Sequence, residues 1–175
     1  MQSEQELQHY NLHENSPDDL GYRRFLSKLV DPLCERIPAD SAGLDFGCGP
    51  GPTLSVMLEE QGYRVALYDI HYRPDESLLD KDYDFITTTE VVEHLKRPRE
   101  ELMRLWECLR PGGYLALMTQ RIECQDSFDN WHYILDPTHI GFWGKDSFLY
   151  LSYILQSRHL EFHSDQVVFL QKQFS

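Results

Sequence analysis

Leu44-Asp45-Phe46-Gly47-Cys48-Gly49-Pro50-Gly51-Pro52-Thr53 (residues 44–53) sets an apolar run directly before three glycines at alternate positions. The run from Gly43 to Phe46 is too short for a helix and is bounded by turn residues, so it reads as a buried strand. Leu54, Met57 and Leu58 then recur at helical spacing, and this helix is expected to end near Gly62. Residues 44–53 are therefore a strand, a glycine turn and a helix N-terminus. Glycine permits positive φ and carries no side-chain bulk, so a ligand can approach such a turn while helix amides face its polar groups.

Outward from this stretch the pattern alternates. An amphipathic helix runs from Asp19, with Tyr22, Phe25, Leu26, Leu29, Val30 and Leu33 at helical spacing before Pro38, and is expected beside the turn. Val65–Tyr68 and Tyr83–Thr87 read as apolar strands. A helix opening near Pro98 carries Leu102, Leu105, Trp106 and Leu109 on one face, and Pro111-Gly112-Gly113 stop it before the strand Tyr114–Thr119. A helix with Phe148, Leu151 and Leu155 on one side precedes a terminal hairpin of Leu160–Ser164 and Val167–Gln171. Alternating strands and helices predict an α/β fold, a Rossmann-like doubly wound sheet, mostly parallel with an antiparallel C-terminal hairpin strand.

The 175 residues carry no repeat, low-complexity tract or long linker, so a single domain over 1–175 is expected, with 1–18 a lead-in or lid. No run approaches the roughly 18 apolar residues of a membrane span, and the polar N-terminus lacks the basic start and apolar centre of a secretory signal. A cytoplasmic location is expected. Cys34, Cys48, Cys108 and Cys124 form no C-x-x-C pair and read as reduced thiols. A formal net charge of −13 repels a phosphate backbone, which makes a nucleic-acid partner unfavourable, although Arg97, Arg99 and Arg104 could form a local basic patch. The oligomeric state is not legible.

In doubly wound sheets a ligand binds at the carboxyl ends of the strands where strand order reverses. Asp69, 22 residues after Gly47, ends the second strand where a carboxylate can accept both hydroxyls of a ribose. A dinucleotide fingerprint would need a small third residue where Pro52 stands, and a P-loop would need Gly-Lys-Ser/Thr, so neither NAD nor ATP fits well. The pattern Asp45-x-Gly47-x-Gly49-x-Gly51 resembles motif I of the class I S-adenosylmethionine-dependent methyltransferases. YDFITTTEVVEHL (residues 83–95) resembles the segment after their fourth strand, and LRPGGYLALMT (residues 109–119) resembles their fifth-strand motif. The Glu-Val-Val-Glu-His sequence brings the ubiquinone-biosynthesis-like and general small-molecule branches nearest.

The resemblance implies S-adenosylmethionine as cofactor, with S-adenosylhomocysteine as product. It implies that Gly47, Gly49 and Gly51 line the methionine and ribose portion and that Asp45 orients the turn and the amino group. It further implies that Asp69 binds the ribose hydroxyls, that Thr89, Glu90 and Val91 border the sulfonium end, and that Ile70 flanks adenine. Only 13 residues separate Asp69 from Tyr83, whereas the family inserts a helix and a strand there. The sheet is therefore expected to be abbreviated between its second and fourth strands, with Asp80 or Asp82 as substitute adenine contacts or as solvated loop acids.

A sulfonium methyl is already activated, so positioning can suffice, but a hydroxyl or ammonium acceptor must also lose a proton. The segment WHYILDPTHIGFW (residues 131–143) supplies His139 as base or substrate ligand, with His132 and Tyr133 in the pocket wall. The competing reading is a surface loop anchored by Trp131, Phe142 and Trp143, with the histidines capping its hydrogen bonds. Glu90, Glu93 and His94, at i, i+3 and i+4, could face a divalent metal if helical, yet such local sets more often orient a turn. His9, Tyr10 and His13 could fold over the methyl-donor end. The sequence thus predicts a methyltransferase acting on a small molecule. Its rivals are a noncatalytic S-adenosylmethionine-binding or partner-binding protein and a nicotinamide oxidoreductase.

Overall fold

The computed structural model describes residues 16–122, 128 and 131–174. Helix α1 (Leu20–Cys34) begins where Asp19 caps it, its carboxylate accepting from the amides of Gly21 at 2.7 Å and Tyr22 at 3.2 Å. Strand β1 (Ala42–Phe46), α2 (Thr53–Glu60) and β2 (Arg64–Tyr68) follow, then a 3-10 turn (Glu76–Asp80) and β3 (Tyr83–Thr89). The second half contributes α3 (Pro98–Glu107), β4 (Leu109–Met118), the short β5 (Arg121–Ile122) and β6 (Trp143–Gly144), α4 (Lys145–Leu155), β7 (His159–Phe162) and β8 (Val167–Gln171).

Six strands form one sheet in the order β2-β1-β3-β4-β8-β7. The β2, β1, β3 and β4 ladders are parallel, and β8 returns antiparallel to β4 and β7. After β1 the chain moves outward to β2 and then crosses to β3 on the other side, so strand order reverses between β1 and β3. The carboxyl ends of those two strands open the crevice in which the glycine turn lies.

Side chains alternate across the strands and supply two cores. Along β4, Leu115 and Leu117 join Leu102 and Leu105 of α3 and Phe148 and Leu151 of α4. Ala116 and Met118 point the other way, into a core with Leu26, Leu29 and Leu33 of α1 and Leu54 and Leu58 of α2. The expected layering of helices on both faces of a mostly parallel sheet is therefore observed. So is the abbreviation: β2 is an edge strand, and residues 70–82 return to β3 through the single 3-10 turn.

One boundary differs from its sequence reading. Leu109, expected as the last apolar position of α3, instead opens β4, and Pro111-Gly112-Gly113 lie inside the strand rather than before it. The β3–β4 register shifts between Tyr83 and Phe85, and Gly112 adopts φ 78°. The glycines thus accommodate an irregularity in a strand, where the sequence pattern suggests a helix stop. The third strand also runs two residues beyond Thr87.

Gly43 on β1 faces the ring of Phe85, which is fully buried. Any Cβ there would overlap that ring, so Gly43→Ala is expected to cost about 1–3 kcal/mol as overpacking. Thermal melting should show a Tm lower by roughly 2–4 °C per kcal/mol for a chain of this size, and an unchanged Tm would contradict the packing described.

Candidate cofactor and acceptor site

The turn after β1 hooks over the end of β2, the amides of Gly47 and Cys48 donating to the carbonyl of Tyr68 at 2.8 and 3.2 Å. Gly47 has φ 78°, and a Cβ there would collide with Val91. The turn therefore presses against the segment that leaves β3. Gly49 has φ 64°, and a Cβ there would meet no atom within 4 Å, so it faces open space. Its amide donates to Asp69 Oδ2 at 3.0 Å, while Asp69 Oδ1 accepts from the amides of His71 at 2.8 Å and Tyr72 at 3.1 Å. Three backbone donors from both sides of the crevice thus hold the Asp69 carboxylate in one orientation. Gly51 precedes α2, its carbonyl accepting from Thr53 N at 2.7 Å.

Asp45 lies beneath the turn, buried, and accepts from Thr87 Oγ1 at 2.8 Å. Burial pushes its carboxyl up to about 7, the Thr87 bond opposes the rise and the charge of Asp69 adds to it. Burial and then the charges of Asp45 and Glu90 push the Tyr22 phenol of α1 up to about 12. Burial and then the charges of Asp45 and Asp69 raise the Cys48 thiol to about 12, so it is no nucleophile near neutral pH.

At the carboxyl end of β3, Thr88 Oγ1, Thr89 Oγ1 and Glu90 Oε1 are buried without a hydrogen-bond partner. Glu90 takes the left-handed φ of 51°. Buried polar atoms nearly always have partners, and three consecutive exceptions beside a glycine turn mark a place for a polar ligand. Open space at Gly49, a fixed carboxylate at Asp69 and these orphaned oxygens fit a molecule that carries a ribose and an amino-acid portion. Val91 is half-buried against the turn, and Ile70 is 69% exposed beside Asp69.

The segment after β3 does not form the helical turn its spacing suggests. Val92–His94 is a 3-10 turn that Glu90 precedes, so Glu90 is not in helical register with Glu93 and His94. Nor do Glu93 and His94 cap a local turn. Glu93 is fully buried, accepting from Thr119 Oγ1 at 3.1 Å and from the Tyr133 hydroxyl in a short bond. Its carbonyl accepts from the amides of Ile140 and Gly141, both at 2.9 Å. The His94 ring meets the Thr138 carbonyl through Nδ1 at 3.0 Å, and the His139 ring meets the Tyr133 carbonyl through Nδ1 at 2.7 Å. Trp143 Nε1 donates to Val92 O at 3.2 Å. Residues 131–143 are thereby fastened to residues 90–94 across the sheet end.

The Tyr133 hydroxyl, 3.1 Å from Glu90 Oε2, stands between Glu90 and Glu93. Burial and then the Glu93 charge raise the Glu90 carboxyl to about 8. Burial, Glu93 and Glu90 raise the Tyr133 phenol, so it remains a donor, and burial lowers His94. His139 is inside this cluster, whereas His132 is exposed at the start of a 3-10 turn (His132–Leu135). Asp80 and Asp82 are exposed just before β3 begins, at the opposite end of a parallel strand from the turn, which removes them from the crevice. His9, Tyr10, His13 and Cys124 lie outside the described residues. Sequence reasoning missed Thr87, Thr119 and the bridging role of the Tyr133 hydroxyl, because single hydroxyls carry no periodic signal. The one available hint was their position at strand ends or in the aromatic segment.

Fold and crevice together define a class I methyltransferase. The family model described as "methyltransferase domain" matches residues 20–151, and the chain belongs to that family, the S-adenosylmethionine-dependent class I enzymes. It is 31% identical to the mitochondrial ubiquinone biosynthesis O-methyltransferase of Schizosaccharomyces pombe across 43% of this chain and 36% of that one. It is also 31% identical to the tRNA 5-carboxymethoxyuridine methyltransferase of Escherichia coli K12 across 49% of this chain and 42% of that one. The chain therefore spans less than half the length of these relatives. Among solved structures, a SAM-dependent methyltransferase from Archaeoglobus fulgidus superposes with a TM-score of 0.66 at 21% identity, covering 79% of this chain and 71% of that one.

Because the Asp45 carboxyl is raised from 3.8 to about 7, the folded chain binds one more proton than the unfolded chain between those values. Stability contributed by this group is thus present at low pH and lost as pH rises through that window. In melts from pH 4 to 8, wild type is expected to lose Tm relative to Asp45→Asn as pH rises. Parallel profiles would show that Asp45 ionises normally.

Proposed function

We propose that the protein transfers the methyl group of S-adenosylmethionine to a hydroxyl of a small molecule. The observation that carries this reading is the set of buried oxygens without a partner at Thr88, Thr89 and Glu90, at the carboxyl end of β3 where the glycine turn meets Val91. In this reading Asp69 accepts from the ribose hydroxyls, Gly47, Gly49 and Gly51 leave room for the methionine and ribose portion, and Asp45 faces its ammonium. Ile70 covers adenine from its exposed position, while Thr89, Glu90 and Val91 border the sulfonium end.

When bound, S-adenosylmethionine supplies an electrophilic methyl, and the chain's task is to align an acceptor oxygen behind it and exclude water. His139 donates through Nδ1 to a carbonyl, which leaves Nε2 as the nitrogen with a lone pair for an acceptor's proton or oxygen. For a hydroxyl acceptor, His139 Nε2 would take the proton that the acceptor oxygen loses as its new bond forms. A hydroxyl acceptor agrees with the O-methyltransferase name of the fission-yeast relative.

The tRNA-modifying relative raises a second acceptor class. A net charge of −13 opposes it, and two arginines of the suspected patch are paired, Arg97 with Glu100 at 3.3 Å and Arg104 with Glu76 at 3.0 Å. Labelled methyl transfer from S-adenosylmethionine should be assayed against a panel of phenols and aliphatic alcohols, a metabolite extract and bulk tRNA. Label in a small hydroxyl compound is expected. Label in tRNA overturns the acceptor class, and cofactor binding without transfer favours a noncatalytic binding protein. His139→Ala is expected to lower kcat by about 100-fold or more while cofactor affinity stays within about twofold; unchanged turnover across pH would remove His139 from the reaction.

A further inference from the structure

We propose that Arg121 Nη1 binds a carboxylate carried by the methyl acceptor, which makes the acceptor a hydroxy acid. Arg121 opens β5 three residues past Met118, and Met118 is the register partner of Thr89 at the carboxyl end of β3. Three residues span at most about 11 Å, so one small molecule can reach both places. Two neighbours tie Arg121 to the acceptor side of the crevice. Its register partner on β6 is Trp143, whose Nε1 donates to Val92 O, and two residues before it Thr119 Oγ1 donates to Glu93 Oε2.

The guanidinium is held on every side but one. Nε donates to Asp165 O at 2.9 Å, Nη2 donates to Ser164 O in a short bond, and the group lies 4.8 Å from the centre of the Phe162 ring. Two carbonyls and a ring face fix its plane, and none of them carries a negative charge. Nη1, with its two N–H groups, is buried and has no partner. Among the described residues no carboxylate forms an ion pair with Arg121, whereas Arg23, Arg36, Arg97, Arg104 and Arg110 each have one. Burial lowers the guanidinium pKa even against the charge of Asp165, so that acid leaves the cation undercompensated.

Closing the β7–β8 turn does not account for this cation. Ser164 Oγ already accepts from the amides of Gln166 at 3.3 Å and Val167 at 3.1 Å, and the His163 amide donates to Val167 O at 3.0 Å. A neutral donor would serve the two turn carbonyls with less desolvation. Buried donors nearly always have partners and buried cations are ordinarily paired, and a carboxylate on Nη1 meets both requirements. One guanidinium balances one negative charge, and a net charge of −13 disfavours the second charge of a phosphate. The role toward the acceptor rests on the methyltransferase reading, whereas the anion site does not.

The test titrates the full chain, at constant ionic strength, with benzoate, its uncharged counterpart benzamide, and inorganic phosphate. One equivalent of benzoate is expected to bind and to shift the Arg121 Nε–Hε resonance, assigned by its loss in Arg121→Lys. Arg121→Gln should weaken benzoate at least about tenfold, and Arg158→Gln, at an exposed arginine, should bind as wild type does. An Arg121 resonance that benzoate leaves unmoved overturns the proposal without recourse to a variant, and phosphate binding tighter than benzoate replaces the carboxylate with a free inorganic anion. In the labelled-methyl assay, hydroxy acids should exceed their own amides at least about tenfold in kcat/KM, through KM. Acids labelled no better than their amides overturn the role toward the acceptor. S-adenosylmethionine binding is measured in parallel: cofactor binding without a benzoate response sinks the carboxylate site alone, while a benzoate response without cofactor binding sinks the methyltransferase reading alone.

Discussion

The contact between Gly47 and Val91 is the constraint on which the crevice depends. With only a hydrogen at Gly47, the turn after β1 can pack against the segment leaving β3, and a methyl group would not fit there. That approach sets the level of Gly49, whose amide holds one oxygen of Asp69. On the far side it sets the path of residues 90–94, and through them the positions of Glu93 and His94. One close approach thus links the cofactor side of the crevice to the acceptor side.

The protein concentrates buried acids where it leaves them least compensated. Asp45 and Glu90 are both raised well above ordinary carboxyls, chiefly by burial. An isolated buried carboxylate is costly enough that the group holds its proton instead. A positively charged occupant such as a sulfonium-bearing cofactor changes that balance in favour of the ionised forms. The crevice is therefore electrostatically suited to positively charged occupants. Arg97, Arg104 and Arg110, by contrast, each pair with a neighbouring acid.

The segment 131–143 shows how a loop can be structural and site-forming together. Its aromatic residues pack on one another, Trp131 with Tyr133 at 5.0 Å and Trp131 with Phe142 at 5.9 Å between ring centres. The same segment carries the Tyr133 hydroxyl and His139 ring to Glu93. The anchoring rings of the segment put the polar groups of Tyr133 and His139 in place.

Residues 44–53, the spacing to Asp69 and the alternation of apolar runs sufficed to determine the sheet, its helical layers and its antiparallel end, while its shortened edge was legible only against the resemblance to the class I methyltransferases. These features rest on local periodicity and turn chemistry, which are written along the chain. Periodicity misread Pro111-Gly112-Gly113, because glycines that end a helix and glycines that relax a strand look alike until a partner strand sets the register. It also placed Glu90, Glu93 and His94 on one helical face. Only the tertiary structure decided that Glu90 turns left-handed, that Glu93 is buried under Tyr133 and Thr119, and that His139 comes beside His94 from 45 residues away. Those contacts join segments distant in sequence, so no local pattern encodes them; they follow from where the sheet end brings two loops together.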